Sequence, residues 1–114
     1  MRKSDKKLDN QIRLALTDVC ESALKSLNGF EWLTHSVNYD RFPESLKVVC
    51  VFDTNEHLGA FNVSPLSRQL ERQIHAEFNA LGVKVKNIQG HVFYDTEENC
   101  EQFHNGNWAR RLQG

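Results

Sequence analysis

Two acidic residues stand where apolar, β-branched segments of the chain come to an end: Asp53 in VFDTNE (51–56) and Asp95 in FYDTEE (93–98). Carboxylates gathered at strand ends can hold a divalent metal for phosphoryl chemistry, because Mg²⁺ takes hard oxygen ligands and polarises phosphate oxygens. Glu56, Glu97 or Glu98 would complete such a site, which makes Asp53, Asp95, Glu97 and Glu98 the candidate catalytic residues. The same spacing has a structural reading. Asp53 and Glu56 are three apart, as are Asp95 and Glu98, the geometry of a capping box with Asp replacing Ser or Thr. Each Asp would then accept a bond from an orphan helix amide while each Glu reaches back, and this is the role expected of them.

Cys100 and His104 lie four apart on a short helix and face the same way, as half of a zinc site would. Zinc needs four ligands, and His35, His57 and His91 are scattered, so a structural cysteine beside a surface histidine is the expectation. Cys50 inside VVCVF and Cys20 on a helical apolar stripe should be buried and inert. Cys100 should be more exposed, with Glu97, Glu98 and Glu101 raising its pKa. No Gly-rich phosphate loop, HExxH, GxSxG or RNA-binding aromatic signature occurs.

Binding chemistry is suggested at three places. Up to Arg13 the chain carries Arg2, Lys3, Lys6, Lys7 and Arg13 against Asp5 and Asp9, a local +3; such a helix face can contact phosphates, although charge runs are usually solvated helix ends. The tail HNGNWARRLQG joins Trp108 to Arg110 and Arg111, residue types typical of interaction hot spots, or Trp108 docks on the core to pin the tail. Trp32 and His35 in WLTH could line a cleft.

The elements that must position these residues follow from periodicity. Leu8, Ile12, Leu16, Val19, Ala23 and Leu27, widened by Cys20 and Leu24, predict an amphipathic helix over 5–27, capped by Ser4 or Asp5 and stopped at Asn28-Gly29. Residues 30–39 read as a strand, DRFPES as a loop, and KVVCVFDT (47–54) as a central strand buried on both faces. Ser64, Pro65 and Gly82 frame a second long helix with a Leu66, Leu70, Ile74, Phe78 and Leu81 stripe. VKVKNIQGHVFYD (83–95) is strand-like but interrupted at Gly90, so it forms one kinked strand or two short ones. A short acidic helix over 96–104 and a last turn from Trp108 to Leu112 complete the chain. The expectation is one α+β domain over 1–114, in the order α-β-β-α-β(β)-α. Its three- or four-stranded mixed sheet would carry the two long helices packed on one face, with a right-handed crossover.

Composition narrows the function. Apolar residues make up 39% of the 114, enough for a core without metal or disulfide support. A balance of 14 Lys and Arg against 15 Asp and Glu lacks the strong basic excess of a dedicated nucleic-acid binder. Three cysteines without a CxxC pair imply free thiols in a reducing cytoplasm. The charged N-terminus, followed by no apolar stretch, is expected to be neither a signal peptide nor an anchor, and no run approaches the roughly 20 apolar residues of a membrane span. A cytoplasmic chain without membrane contact is expected, and no cofactor is implied.

MRKSDKK, WLTH (32–35), SLKVVCVFDTNE (45–56), YDTEENC (94–100) and GNW (106–108) resemble a family of small bacterial proteins, some labelled "Fis family transcriptional regulator", and the likeness covers nearly the whole chain. The label implies DNA binding. Regulators of that type resemble all-helical proteins with a C-terminal helix-turn-helix, whereas β-rich runs fill 30–53 and 83–95 here. Two functions are thus carried forward. The first is a non-catalytic binding or regulatory module, with a protein partner or self-association favoured and nucleic acid reached through the basic N-terminus. The alternative is a metal-dependent hydrolase or nuclease using Asp53 and Asp95.

Overall fold

The computed structural model describes residues 2–113. Helix α1 spans Lys3–Ser26 and buries Ile12, Ala15, Leu16, Val19 and Ala23, the inner positions of the predicted stripe. Leu24, expected to widen it, is 53% exposed, because the buried arc of a helix on a sheet is narrower than its full apolar arc. Neither Ser4 nor Asp5 caps the helix; both lie inside its first turn, where Asp5 takes a bond from Arg2 Nε at 3.0 Å. The helix stops where Gly29 turns the chain at φ +82°.

Strands β1 (Phe30–Ser36) and β2 (Lys47–Phe52) pair antiparallel, and β3 (Val92–Thr96) adds parallel to β2, giving the sheet order β1-β2-β3. The fold is α+β with a three-stranded mixed sheet. A fourth strand does not form: residues 83–87 have no strand pairing, and Gly90 lies in a 3₁₀ turn, Ile88–His91. Val83 and Val85 are buried all the same, so the alternation there reflects packing without a ladder.

Helix α2 (Asn55–Asn62) is an addition to the expected order; with α3 (Leu66–Ala80) it forms the crossover from β2 to β3. It escapes a periodicity reading because its eight residues bury only Phe61. Helix α3 carries Leu70, Ile74 and Phe78 inward, each worth roughly 1.5–3 kcal/mol over exposure. Its start differs slightly from expectation: Pro65 is the cap residue and Ser64 Oγ accepts from Leu66 N at 3.0 Å. Helices α4 (Glu97–His104) and α5 (Trp108–Gln113) follow β3 directly, joined by a left-handed turn at Asn105 and Gly106.

Alternate residues of β2, Val48, Cys50 and Phe52, share one core with the α1 and α3 stripes. Val51, which points the other way, is also fully buried, as expected of a central strand. On that second side the rows across the sheet are Trp32–Val51–Asp95 and Thr34–Val49–Phe93. Helix α5 covers the first row through Trp108 and Arg111, whereas Phe93 in the second is 44% exposed. No helix of the described residues is long and apolar enough to cross a membrane.

Candidate functional site

The parallel pair β2 and β3 delivers both Asp-Thr dipeptides to one end of the sheet. The threonines, not the aspartates, are the caps: Thr54 Oγ1 accepts from His57 N at 3.1 Å and Thr96 Oγ1 from Asn99 N at 3.0 Å. Each Asp instead folds back on the next amide, Asp53 on Thr54 N at 2.6 Å and Asp95 on Thr96 N at 2.8 Å. The expected capping boxes are thus corrected by one residue. Thr54 and Thr96, both extended, are the residues directly before the first helical residues Asn55 and Glu97. The two helix starts are also tied to each other. Glu98 Oε1 accepts from Asn55 N at 2.9 Å, Thr96 Oγ1 donates to Asn55 Oδ1 at 2.7 Å, and Glu98 N donates to the Asp53 carbonyl at 3.0 Å. Glu98 therefore serves the neighbouring helix rather than its own, and Glu56 is exposed.

Asp95 and Glu97 have partners as well. Asp95 is held by a fork from Arg111, Nε to Oδ2 at 2.6 Å and Nη2 to Oδ1 at 2.9 Å. Arg111 further donates to His104 Nδ1 at 3.2 Å. Glu97 Oε1 accepts from Trp32 Nε1 at 2.7 Å, and both Glu97 oxygens lie 3.2 Å from Trp108 Nε1. The two indoles meet edge to face at 4.9 Å, a geometry that adds about 0.5–1.5 kcal/mol to their burial. Trp108 is half-buried against the sheet and Arg110 is exposed.

His57 Nδ1 lies 2.7 Å from Asp53 Oδ1; a carboxylate only accepts, so the imidazole donates. Gly29 packs directly against this pair. His57 also borders a recess of about 210 Å³ with Ser26, Asn28, Phe61 and Ser64. At the far end of β1, Asp9 accepts from His35 Nε2 at 3.0 Å and from Tyr39 Oη at 2.8 Å. His35 closes a cleft of about 350 Å³ between α1 and β1 that includes Cys20 and Leu33. The basic residues Lys3, Lys6 and Lys7 are exposed on the first turns of α1.

The hydrogen bond from His57 holds the Asp53 carboxyl below its usual range, and that from His35 does the same for Asp9. A depressed folded-state pKa gives stability that is present above the unfolded value and lost as pH falls through the folded one. Both contributions should therefore fade below the ordinary 3.8. In urea titrations between about pH 5 and pH 2, Asp9→Asn combined with Asp53→Asn should flatten the acid limb of stability. An unchanged limb would show that other carboxyls set it.

The thiols depart from expectation. Cys100 is fully buried and Cys20 only partly so, because α4 turns Cys100 into the protein while Cys20 sits at the rim of the α1 stripe. Burial pushes Cys50 up to about 12 and raises Cys100 as well. Cys100 and His104 belong to no group of three potential metal ligands among the described residues, and His104 is engaged by Arg111. Only Cys20 should react with Ellman's reagent in the folded protein, all three thiols should react in urea, and Cys20→Ser should remove the folded-state reaction. Rapid labelling of Cys100 before unfolding would contradict this packing.

No group of three or more His, Cys, Asp or Glu among the described residues could hold a metal. Among the same residues, no buried side-chain nitrogen or oxygen lacks a hydrogen-bond partner. The strand-end cluster thus satisfies itself and works as a clasp between α2, α4 and α5. No protein-family model, curated protein or solved structure matches the chain.

One surface pattern was missed by the sequence reading. On the open row of the second sheet face, the Lys47 ammonium stands 5.1 Å from the centre of the exposed Phe93 ring. Close by, Lys84, Lys86 and His91 border a recess of about 280 Å³ with Pro43 and Glu44. The signal was present in VKVK, where alternation with two buried valines sends both lysines outward.

Proposed function

We propose that this domain is a non-catalytic binding module whose docking surface is the open half of the second sheet face. The observation that carries this is Phe93, 44% exposed at the second position of β3 and in register with Val49 and Thr34, while the adjoining row lies under Trp108 and Arg111. An exposed aromatic ring with a cation over its face offers both stacking and electrostatic contact to a partner. The engagement of Asp53 by His57 and of Asp95 by Arg111 adds support, because catalysis through these carboxylates would first require breaking both pairs.

A photo-reactive phenylalanine analogue placed at Phe93, and as control at the exposed Leu14 of α1, tests the reading in producing cells. A discrete adduct formed at 93 and absent at 14 is expected. No adduct at 93, or the same adducts at both positions, overturns the assignment. The alternative, a metal-dependent hydrolase or nuclease at Asp53 and Asp95, is tested by calorimetric titration with Mg²⁺ and Mn²⁺. No saturable heat is expected; saturable binding that Asp95→Asn removes would reinstate the alternative.

A further inference from the structure

We propose that the ligand of this face is a single-stranded nucleic acid, stacking a base on Phe93 and placing phosphates against Lys47, Lys84 and Lys86. The inference rests on the preceding reading of the face as the docking surface.

Three features combine. The first is a π-face and a cation in one place, the Phe93 ring with the Lys47 ammonium 5.1 Å from its centre. Single-strand binding joins these two elements: base-on-aromatic stacking, which accepts any base, and cations that follow the backbone. The second is anchored lysines. Val83 and Val85 are buried, so Lys84 and Lys86 are projected from a fixed backbone. His91, which shares their recess, is tied to the Leu46 carbonyl at 2.6 Å. That bond joins the recess to Leu46, which directly precedes Lys47 in the chain, and His91 itself lies two residues before Phe93.

The third feature is charge segregation. The recess is bordered by Lys84, Lys86 and one carboxylate, Glu44, and Lys47 stands over Phe93, while Asp95 in the adjoining row is taken up by Arg111, in a chain whose net charge is −1. The start of α1 lies at the same end of the sheet. Asp9 bonds His35 and Tyr39, and the neighbouring Ser36 pairs with Lys47, which brings Lys3, Lys6 and Lys7 to this end together with Asp5, Asp9 and Asp40. The acidic residues Asp53, Glu56, Asp95, Glu97 and Glu98 gather at the opposite end, where β2 and β3 finish.

The type of cation separates this partner from a protein. Protein interfaces are depleted in lysine and enriched in arginine and in tryptophan or tyrosine, whereas the cation over the Phe93 ring and both cations of the recess are lysines, which suit phosphates as point charges, and Arg111 in the adjoining row is committed to Asp95. A single strand is favoured over a duplex because only an unstacked base can lie on a sheet-borne ring.

Fluorescence anisotropy with labelled dT12, rU12 and a 12-base-pair duplex, from 25 to 200 mM salt, tests the assignment on the full chain. Both single strands should bind better than the duplex. The logarithmic salt slope should be about −2, the value for roughly three phosphates on a single strand. Phe93→Ala should weaken binding about tenfold, Phe93→Tyr should restore it, and Lys84→Glu with Lys86→Glu should abolish it. Lys3→Glu, Lys6→Glu and Lys7→Glu together should cost less than the Lys84 and Lys86 pair. Circular dichroism melts of each variant confirm that the fold is kept, and Phe93→Tyr guards against a packing defect. No salt-dependent binding at 25 mM, a preference for the duplex, or binding indifferent to both Phe93→Ala and the Lys84 and Lys86 changes would each overturn the ligand. A discrete protein adduct at residue 93 with no nucleic-acid binding would leave the docking surface standing and remove only this ligand.

Discussion

Gly29→Ala is expected to lower the unfolding free energy by roughly 2–5 kcal/mol, a large part of the about 5–15 kcal/mol that holds a domain of this kind together. Two costs add. Gly29 has φ +82°, where a residue with a Cβ loses about 1–2 kcal/mol. A Cβ there would also stand 2.6 Å from His57 Cβ, and closer still to Asp53 Oδ1 and His57 Nδ1. Overpacking of this sort costs about 1–3 kcal/mol. His57 is partly exposed and can swing aside, but Asp53 is pinned by its bond to Thr54 N and by its own amide on the Gly29 carbonyl at 2.8 Å. Relief of the clash therefore opens the Asp53–His57 bond. Gly90→Ala is the control, with nothing within 4 Å of its added Cβ and no positive φ, and should stay within about 0.5 kcal/mol of the parent. Urea titration compares the two. A loss below about 1 kcal/mol for Gly29→Ala would mean that the 27–30 turn yields.

The second large effect is expected at the opposite side of the clasp. Asp95→Ala should cost roughly 2–4 kcal/mol, somewhat under the 3–5 typical of breaking one half of a buried pair, because the side chains of Arg111 and Asp95 are 18% and 17% exposed rather than dry. The change strands the Arg111 guanidinium against His104 and over the Phe103 ring, 5.9 Å from its centre, and removes the bond to Thr96 N. Helix α5 is six residues long, too short to persist unaided, so loosening Arg111 should also release Trp108 from Trp32. Tryptophan fluorescence should shift and α5 amides should exchange faster before global unfolding begins. Arg111→Ala combined with Asp95→Ala closes the cycle, with a coupling of about 1–3 kcal/mol expected. Additive losses would show that the fork is not what holds the tail.

Some of this architecture was legible before any coordinates. The α1 and α3 stripes, the valine-rich central strand and the stop at Gly29 are local patterns, each written by a period of 3.6 or 2 or by one residue's backbone freedom. Helix α2 was not legible, because a helix burying only Phe61 leaves no periodic trace. The strand over 83–87 was misread for the converse reason: the alternation of Val83 and Val85 records burial and does not require a partner strand.

The echo of the two Asp-Thr segments shows where local reading stops. Spacing alone located both strand ends and the helix after the second, but it could not say which oxygen caps which amide, since Asp and Thr compete for neighbouring donors within one residue of each other. Nor could it pair Glu97 with Trp32, 65 positions away, or Asp95 with Arg111, 16 away. Periodicity reports which face of an element meets the core. The company a polar side chain keeps depends on how elements from distant parts of the chain are stacked, and that is settled only when β3 lies down beside β2 and α5 folds back over both.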